Sequence, residues 1–271
     1  VGTKTWTHTP GGADPALLLF DSQTGALRAV IEAFALGQLR TAGTAALATD
    51  LLAPADASRL AVIGTGKQSM AQVAAVAHVR PIDEVRAFSR DPARCAQFAE
   101  RVVDELGIAC RATGSTEEAV DGAHVVTLVT RATEPVLTER MLAPGVHINA
   151  VGAIDLKRRE FEPAILDRCA SVVTDSRPQV RNLSSEFREF YGSDPAAWDA
   201  VRTIGEVILA ERTPRGAADI TLFKGMGSGV EDVALGAAIL ARLDPEEATV
   251  SIPRHGRARI DLVGTSRVHQ R

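Results

Sequence analysis

At 271 residues, 45% hydrophobic and 24% charged, the chain has the composition of a soluble globular protein, with room for one large domain or two smaller ones sharing a core. A net charge of −4 supplies no basic field for nucleic acid or an anionic membrane, no apolar run reaches the length of a membrane span, and no signal-peptide pattern opens the chain. Cys95, Cys110 and Cys169 are unclustered and lack metal-ligand spacing, so they read as free thiols in a reducing cytoplasm, and no metal site is expected. In chain order, apolar runs at 17–20 and 27–31 flank Asp21-Ser-Gln-Thr-Gly25 and predict a β-hairpin. Small residues dominate 40–52, which predicts a helix able to pack closely on a neighbour.

From residue 59 to about 150 the pattern alternates. Strands are predicted at 60–63, 84–88, 109–113, 125–129 and 146–150, with helices at 67–78, 92–106 and 115–121 between them. Such alternation builds a parallel sheet from right-handed βαβ units. Beyond it come a strand at 170–174, a turn at Asp175-Ser-Arg-Pro178 opening a helical stretch, and a strand at 220–223. A glycine loop, Gly225-Met-Gly-Ser-Gly229, then precedes an amphipathic helix at 230–243. The polar, Arg-rich tail after Asp244 reads as a weakly ordered extension.

The segment Gly64-Thr65-Gly66-Lys67-Gln68-Ser69 joins the first strand of the alternating series to its helix. Glycine at 64 lets the backbone turn sharply out of a buried strand, and glycine at 66 lets a pyrophosphate approach bare main chain at a helix N-terminus. Gly-x-Gly also occurs in ordinary strand-to-helix turns, and Ser69 stands where the dinucleotide fingerprint has Gly or Ala. Its position after the first strand of the sheet makes it a nicotinamide-dinucleotide site. The second strand ends in Ser89-Arg90 rather than a carboxylate. A hydroxyl and a guanidinium suit a ribose 2′-phosphate, favouring NADP(H) over NAD(H); alternatively Arg90 and Arg94 are a solvated helix start with Asp91 as its cap.

Several motifs in matching order resemble the ornithine cyclodeaminase/μ-crystallin family: Gly2-Thr-Lys4, Asp21-Ser-Gln-Thr-Gly25, Arg40-Thr-Ala42 and Gly64-Thr-Gly-Lys-Gln68. Pro144-Gly-Val-His-Ile-Asn-Ala-Val-Gly-Ala153, Arg159-Glu160, Val173-Thr-Asp-Ser176, Phe223-Lys-Gly-Met-Gly227 and Glu231-Asp232 continue the match. The resemblance implies a doubly wound Rossmann domain, placed at 53–220, and a smaller α+β substrate and dimerisation domain from both chain ends, 1–52 and 221–271. It implies a homodimer moving hydride at the α-carbon of a small α-amino or α-imino acid. The family pattern also places a further segment, with another substrate-binding Arg, ahead of Val1.

Residue by residue, Lys4 and Arg40 match the family's cationic pair on the substrate carboxylate, where a planar guanidinium binds bidentately and an ammonium adds charge. Gly64, Thr65, Gly66, Lys67, Gln68, Ser89, Arg90, Thr130, Val151 and Lys224 are assigned to the cofactor. The cyclodeaminase acid/base position falls on Ile154, which cannot transfer a proton, with Asp155 one residue later as the candidate catalytic replacement. Ile154 together with Ser89-Arg90 resembles the NADPH-using imine-reductase branch. The implied reaction is reduction of a small, cyclic α-imino acid. The alternatives are ornithine cyclodeamination, an alanine-type dehydrogenase and a catalytically silent binding protein. His147 reads as a core histidine, His8 has no partner visible in sequence, and Asp175-Ser176 is either a cofactor contact or a capping turn.

Overall fold

The computed structural model describes residues 1–7, 14–210, 216 and 219–244; His8 and the tail beyond Asp244 lie outside them. In chain order the elements are β1 (Gly2–Thr5), β2 (Ala16–Phe20), β3 (Leu27–Glu32), α1 (Phe34–Leu52), β4 (Arg59–Ile63), α2 (Ser69–Val79), β5 (Glu84–Phe88) and α3 (Pro92–Leu106). They continue with β6 (Ala109–Ala112), α4 (Thr116–Val120), β7 (Val125–Leu128), β8 (His147–Ala150), β9 (Cys169–Thr174), α5 (Arg177–Leu183) and α6 (Ser185–Tyr191). β10 (Val201–Thr203), α7 (Ile204–Leu209), β11 (Ile220–Lys224) and α8 (Gly229–Arg242) complete the series.

Eight strands form one sheet in the order β10-β9-β11-β8-β7-β4-β5-β6, with every neighbouring pair parallel. The chain leaves β4 for β5 on one side and later reaches β7 on the other. That reversal opens a crevice at the carboxyl ends of β4 and β7, where doubly wound sheets take their ligands. The central strands β4, β7, β8 and β11 are buried along their length except at Arg59 and are mainly apolar, with His147, Asn149 and Lys224 as buried polar members, as expected for a sheet covered on both faces. Local signals set the helix ends. Pro92 occupies the first turn of α3, the Asp91 side chain accepts from Ala93 N and Arg94 N, and Gly107 closes the helix at φ +68°.

β11 was expected in the smaller domain, yet it lies between β8 and β9 in the large sheet. The boundary drawn at 220/221 therefore cuts a central strand, and Lys224 belongs to the sheet. Elements from both ends of the chain meet outside the large sheet. β1, β2 and β3 form an antiparallel sheet, one strand more than the expected hairpin. α8 packs on it through Val233, Leu235 and Leu240 against a core of Leu17, Leu19, Ala33 and Leu36. α1 begins at Phe34, earlier than expected, and its Ala45, Ala48 and Leu52 meet Val151, Val173 and Phe223 of the large sheet. His147 is a core residue, bonded to Thr221 Oγ1 at 2.9 Å and Asn149 Oδ1 at 3.2 Å. No helix among the described residues is long and apolar enough to cross a membrane.

Candidate active site

The Gly64 turn sits at the carboxyl end of β4. Its φ is +103°, and a Cβ there would lie 2.6 Å from Val129 O and 3.1 Å from Thr130 Cγ2, so only glycine fits between the β4 and β7 ends. Gly66 is exposed, and a Cβ there would meet nothing within 4 Å. Ser69 is no blemish. Fully buried, it donates through Oγ to Gly66 O at 2.6 Å and through its N–H at 3.1 Å, bracing the turn. Gln68 makes no side-chain cap at the start of α2, and its Oε1 is buried without a partner. The Ser69 N–H is thus spent on Gly66 O, and the helix start beyond it carries no side-chain cap beside the exposed Gly66, the kind of helix N-terminus at which an anion is stabilised. Lys67 Nζ stands 5.2 Å over the Phe34 ring, bringing the start of α1 to the same crevice.

Toward β5, Arg90 is exposed, and Ser89 Oγ donates to Asp91 O at 3.0 Å. Asp91 caps α3 and pairs with Arg94 at 3.3 Å. The capping alternative is thus present, and Arg90 beside it is exposed at the end of β5.

On the other side lie the ends of β7 and β8. Thr130 and Val151 stand there, Val151 nearly buried and Thr130 half-buried. The carboxylate of Glu160 bridges the two loops, accepting from Thr130 N at 2.7 Å and Gly152 N at 2.7 Å. Lys224 does not line the crevice as expected. It is wholly buried, and its Nζ donates to Ala153 O at 2.6 Å, so it supports the β8 loop from beneath.

Lys4 and Arg40, distant in sequence, come together. Lys4 Nζ is 3.0 Å from Asp232 Oδ1, and Arg40 donates to Glu231 Oε2 at 3.1 Å. Arg40 Nε lies 3.3 Å from Asp232 Oδ1, an ion pair off the line of a hydrogen bond, so this buried nitrogen is ion-paired but donates no hydrogen bond. The loop after β11 abuts this cluster: a Cβ on Gly227 (φ +84°) would lie 2.6 Å from the Arg40 guanidinium, and one on Gly225 would lie 3.2 Å from Val151 Cγ1. Asp175 holds that loop, accepting from Met226 N at 2.9 Å and Gly227 N at 2.6 Å. Burial and the nearby Asp175 carboxylate push the Glu231 carboxyl above the ordinary glutamate value, against the pull of Arg40. Burial likewise pushes the Cys110 and Cys169 thiols up to about 12, so neither is a thiolate nucleophile.

Residues 13–246 match the model of the ornithine cyclodeaminase/mu-crystallin family. The chain belongs to this family. An uncharacterized cyclodeaminase of Sinorhizobium fredii is 32% identical over 234 residues, 86% of this chain and 71% of its own length. Ketimine reductase mu-crystallin of Mus musculus is 34% identical over 218 residues, 80% of this chain and 66% of its own length. Among solved structures, the Thermococcus litoralis Delta(1)-pyrroline-2-carboxylate reductase, in complex with NADH and L-proline, superposes with a TM-score of 0.81 at 26% identity. That match covers 89% of this chain and 77% of the other.

Within this family member Asp155 does not join Lys4 and Arg40. It is half-exposed, pairs with Arg158 at 3.3 Å, and accepts from Lys157 N at 2.9 Å, which ties it into its own turn. Ile154 beside it is 46% exposed. The residues that sequence reasoning left without a site role are Glu160, Glu231 and Asp232. The signal available for them was a carboxylate inside a family motif, which shows that a residue matters but not what it touches.

Proposed function

We propose that this protein reduces a small, cyclic α-imino acid to the L-amino acid with a nicotinamide dinucleotide, preferring NADPH. The observation that carries the reading is the convergence of Lys4 and Arg40 beside the Gly225–Gly227 loop, one contact from Val151 at the end of β8. A cationic pair there holds a carboxylate at the nicotinamide side of the crevice, while Gly66 and the start of α2 hold the pyrophosphate. When bound, the dinucleotide supplies the hydride. Arg40, which pairs with Glu231 and shares Asp232 with Lys4, would exchange part of that pairing for the substrate carboxylate and so fix the α-carbon in the crevice. Lys4, or a water it holds, delivers the proton to the substrate nitrogen. Val151 and the buried ends of β7 and β8, Leu128 and Ala150, give that face an apolar backing.

Two observations favour reduction over ornithine cyclodeamination. The resemblance aligns Ile154 with the acid/base position of cyclodeaminases, and Asp155 is held in its turn by Lys157 and Arg158. The exposed Arg90 after β5, with Ser89 rather than a carboxylate directly at the strand end, supports NADPH, although NADH is the cofactor bound in the Thermococcus relative. Exposed Leu27 and Val30 on edge strand β3, with Leu39 on α1, support a homodimer formed through the smaller unit. Three separate free cysteines support a reducing, cytoplasmic setting.

The reading is tested by following NADPH oxidation against pyrroline-2-carboxylate, piperideine-2-carboxylate and pyruvate with ammonia. Turnover of a cyclic imine is expected. Turnover confined to pyruvate with ammonia would move the assignment to an amino-acid dehydrogenase, and none at all, with dinucleotide still bound, to a binding protein.

A further inference from the structure

We infer that Glu160 is a positioning residue for the nicotinamide half of the cofactor site, an inference that rests on the cofactor reading above. Glu160 lies between β8 and β9 and is wholly buried. Its Oε1 accepts from Thr130 N at 2.7 Å and Thr130 Oγ1 at 3.0 Å. Its Oε2 accepts from Gly152 N at 2.7 Å and Ala153 N at 2.9 Å. Four donors from two loops thus converge on one carboxylate, and no cation pairs with it among the described residues. An ionised carboxylate is acceptor-only, so both loops must turn their N–H groups toward it.

These loops flank the side of the switch-point crevice opposite the adenosine end. Thr130 packs against the Gly64 turn, where its Cγ2 would stand 3.1 Å from an added Cβ. A Cβ on Gly152 would overlap the Thr130 backbone and the Glu160 carboxylate, so the two loops meet main chain to main chain. Glu160 is itself held from behind. Its N–H donates to Glu186 Oε1 at 3.0 Å, and the buried Glu186 is fixed by Ser184 Oγ at 2.7 Å. Beyond Ala153 the buried Lys224 ammonium continues the network through the Ala153 carbonyl. A neutral acceptor would satisfy a core at a lower desolvation cost, and it would not demand donors from both loops at once. The carboxylate therefore sets the spacing of Thr130 and Gly152, and through them the floor on which a nicotinamide ring rests.

The test compares Glu160→Gln with wild type by calorimetric titration of NADPH against its nicotinamide-free fragment 2′-phospho-ADP-ribose, with NADH against ADP-ribose in parallel. An amide NH2 facing two N–H donors pushes one loop away, so affinity for the intact dinucleotides should fall about tenfold or more. Affinity for the fragments should stay within about twofold. Equal losses for both classes, or no loss for either, overturn the inference, because a merely structural carboxylate would not separate them. Should Glu160→Gln fail to fold, Thr130→Val keeps the main-chain bond to Glu160 and removes the hydroxyl with its bonds to Glu160 and from Ala132 N, and the same selective loss is expected at about threefold. Equal behaviour of dinucleotide and fragment in that variant overturns the inference too. Wild-type protein that binds neither class removes the cofactor reading itself, and the inference with it.

Discussion

Gly64 and Gly66 stand two residues apart, and alanine should do opposite things to them. At Gly64 the backbone has φ +103°, and the new Cβ would press to 2.6 Å on Val129 O. Holding alanine in that conformation costs about 1–3 kcal/mol, and relieving the overlap costs about 1–3 kcal/mol more. The chain is longer than 250 residues, so each kcal/mol should move Tm by about 2 °C, a fall of about 4–12 °C in total. At Gly66 φ is not positive and the added methyl meets nothing within 4 Å, so stability should stay within about 0.5 kcal/mol. That methyl instead fills the space over the start of α2, and the loss of one charge-assisted N–H contact to phosphate should weaken dinucleotide binding about tenfold or more. Thermal melts and fluorescence titration of NADPH on the two variants read both effects. Unchanged affinity in Gly66→Ala would refute the placement of the pyrophosphate, and an unchanged Tm in Gly64→Ala would refute the steric reading of the turn.

Arg40→Ala should raise KM for the imino acid by about tenfold or more while leaving NADPH affinity unchanged, as initial rates and a binding titration would show. Arg90→Ala should lower the NADPH-over-NADH preference in kcat/KM by about tenfold, and an unchanged ratio would remove the 2′-phosphate contact. Glu231 gives a pH dependence. Its raised carboxyl keeps its proton to higher pH in the folded state than in the unfolded chain, so its contribution to stability is full below the ordinary glutamate range. That contribution is lost as pH rises through the raised value. Glu231→Gln removes the titration, so Tm of the variant relative to wild type should climb as pH rises through and above the ordinary glutamate range. A difference that falls over this range would reverse the assigned sign.

Most of the alternating sheet was legible because its signals are local. α3 runs over the predicted residues since Asp91, Pro92 and Gly107 mark both ends within the segment itself. The insertion of β11 between β8 and β9 was not legible, because an apolar strand states that it is buried and not which strands it joins. β1 was missed as a strand for the converse reason: Gly2-Thr-Lys-Thr5 is mostly exposed and carries no apolar alternation. Arg40 and Lys4 were found by resemblance, whereas their partners were not, since Glu231 lies 191 residues from Arg40 and Asp232 lies 228 from Lys4. Glu160 shows the same limit. It stands in the motif with Arg159, yet its function depends on Thr130 and Gly152, brought to it by two separate strands.

The most direct measurement is the balance of product against cofactor. With pyrroline-2-carboxylate and NADPH, one L-proline should form for each NADPH oxidised, and ornithine should release no ammonia. Ammonia released from ornithine with no net change in cofactor absorbance, and no oxidation of NADPH by the cyclic imine, would contradict the account.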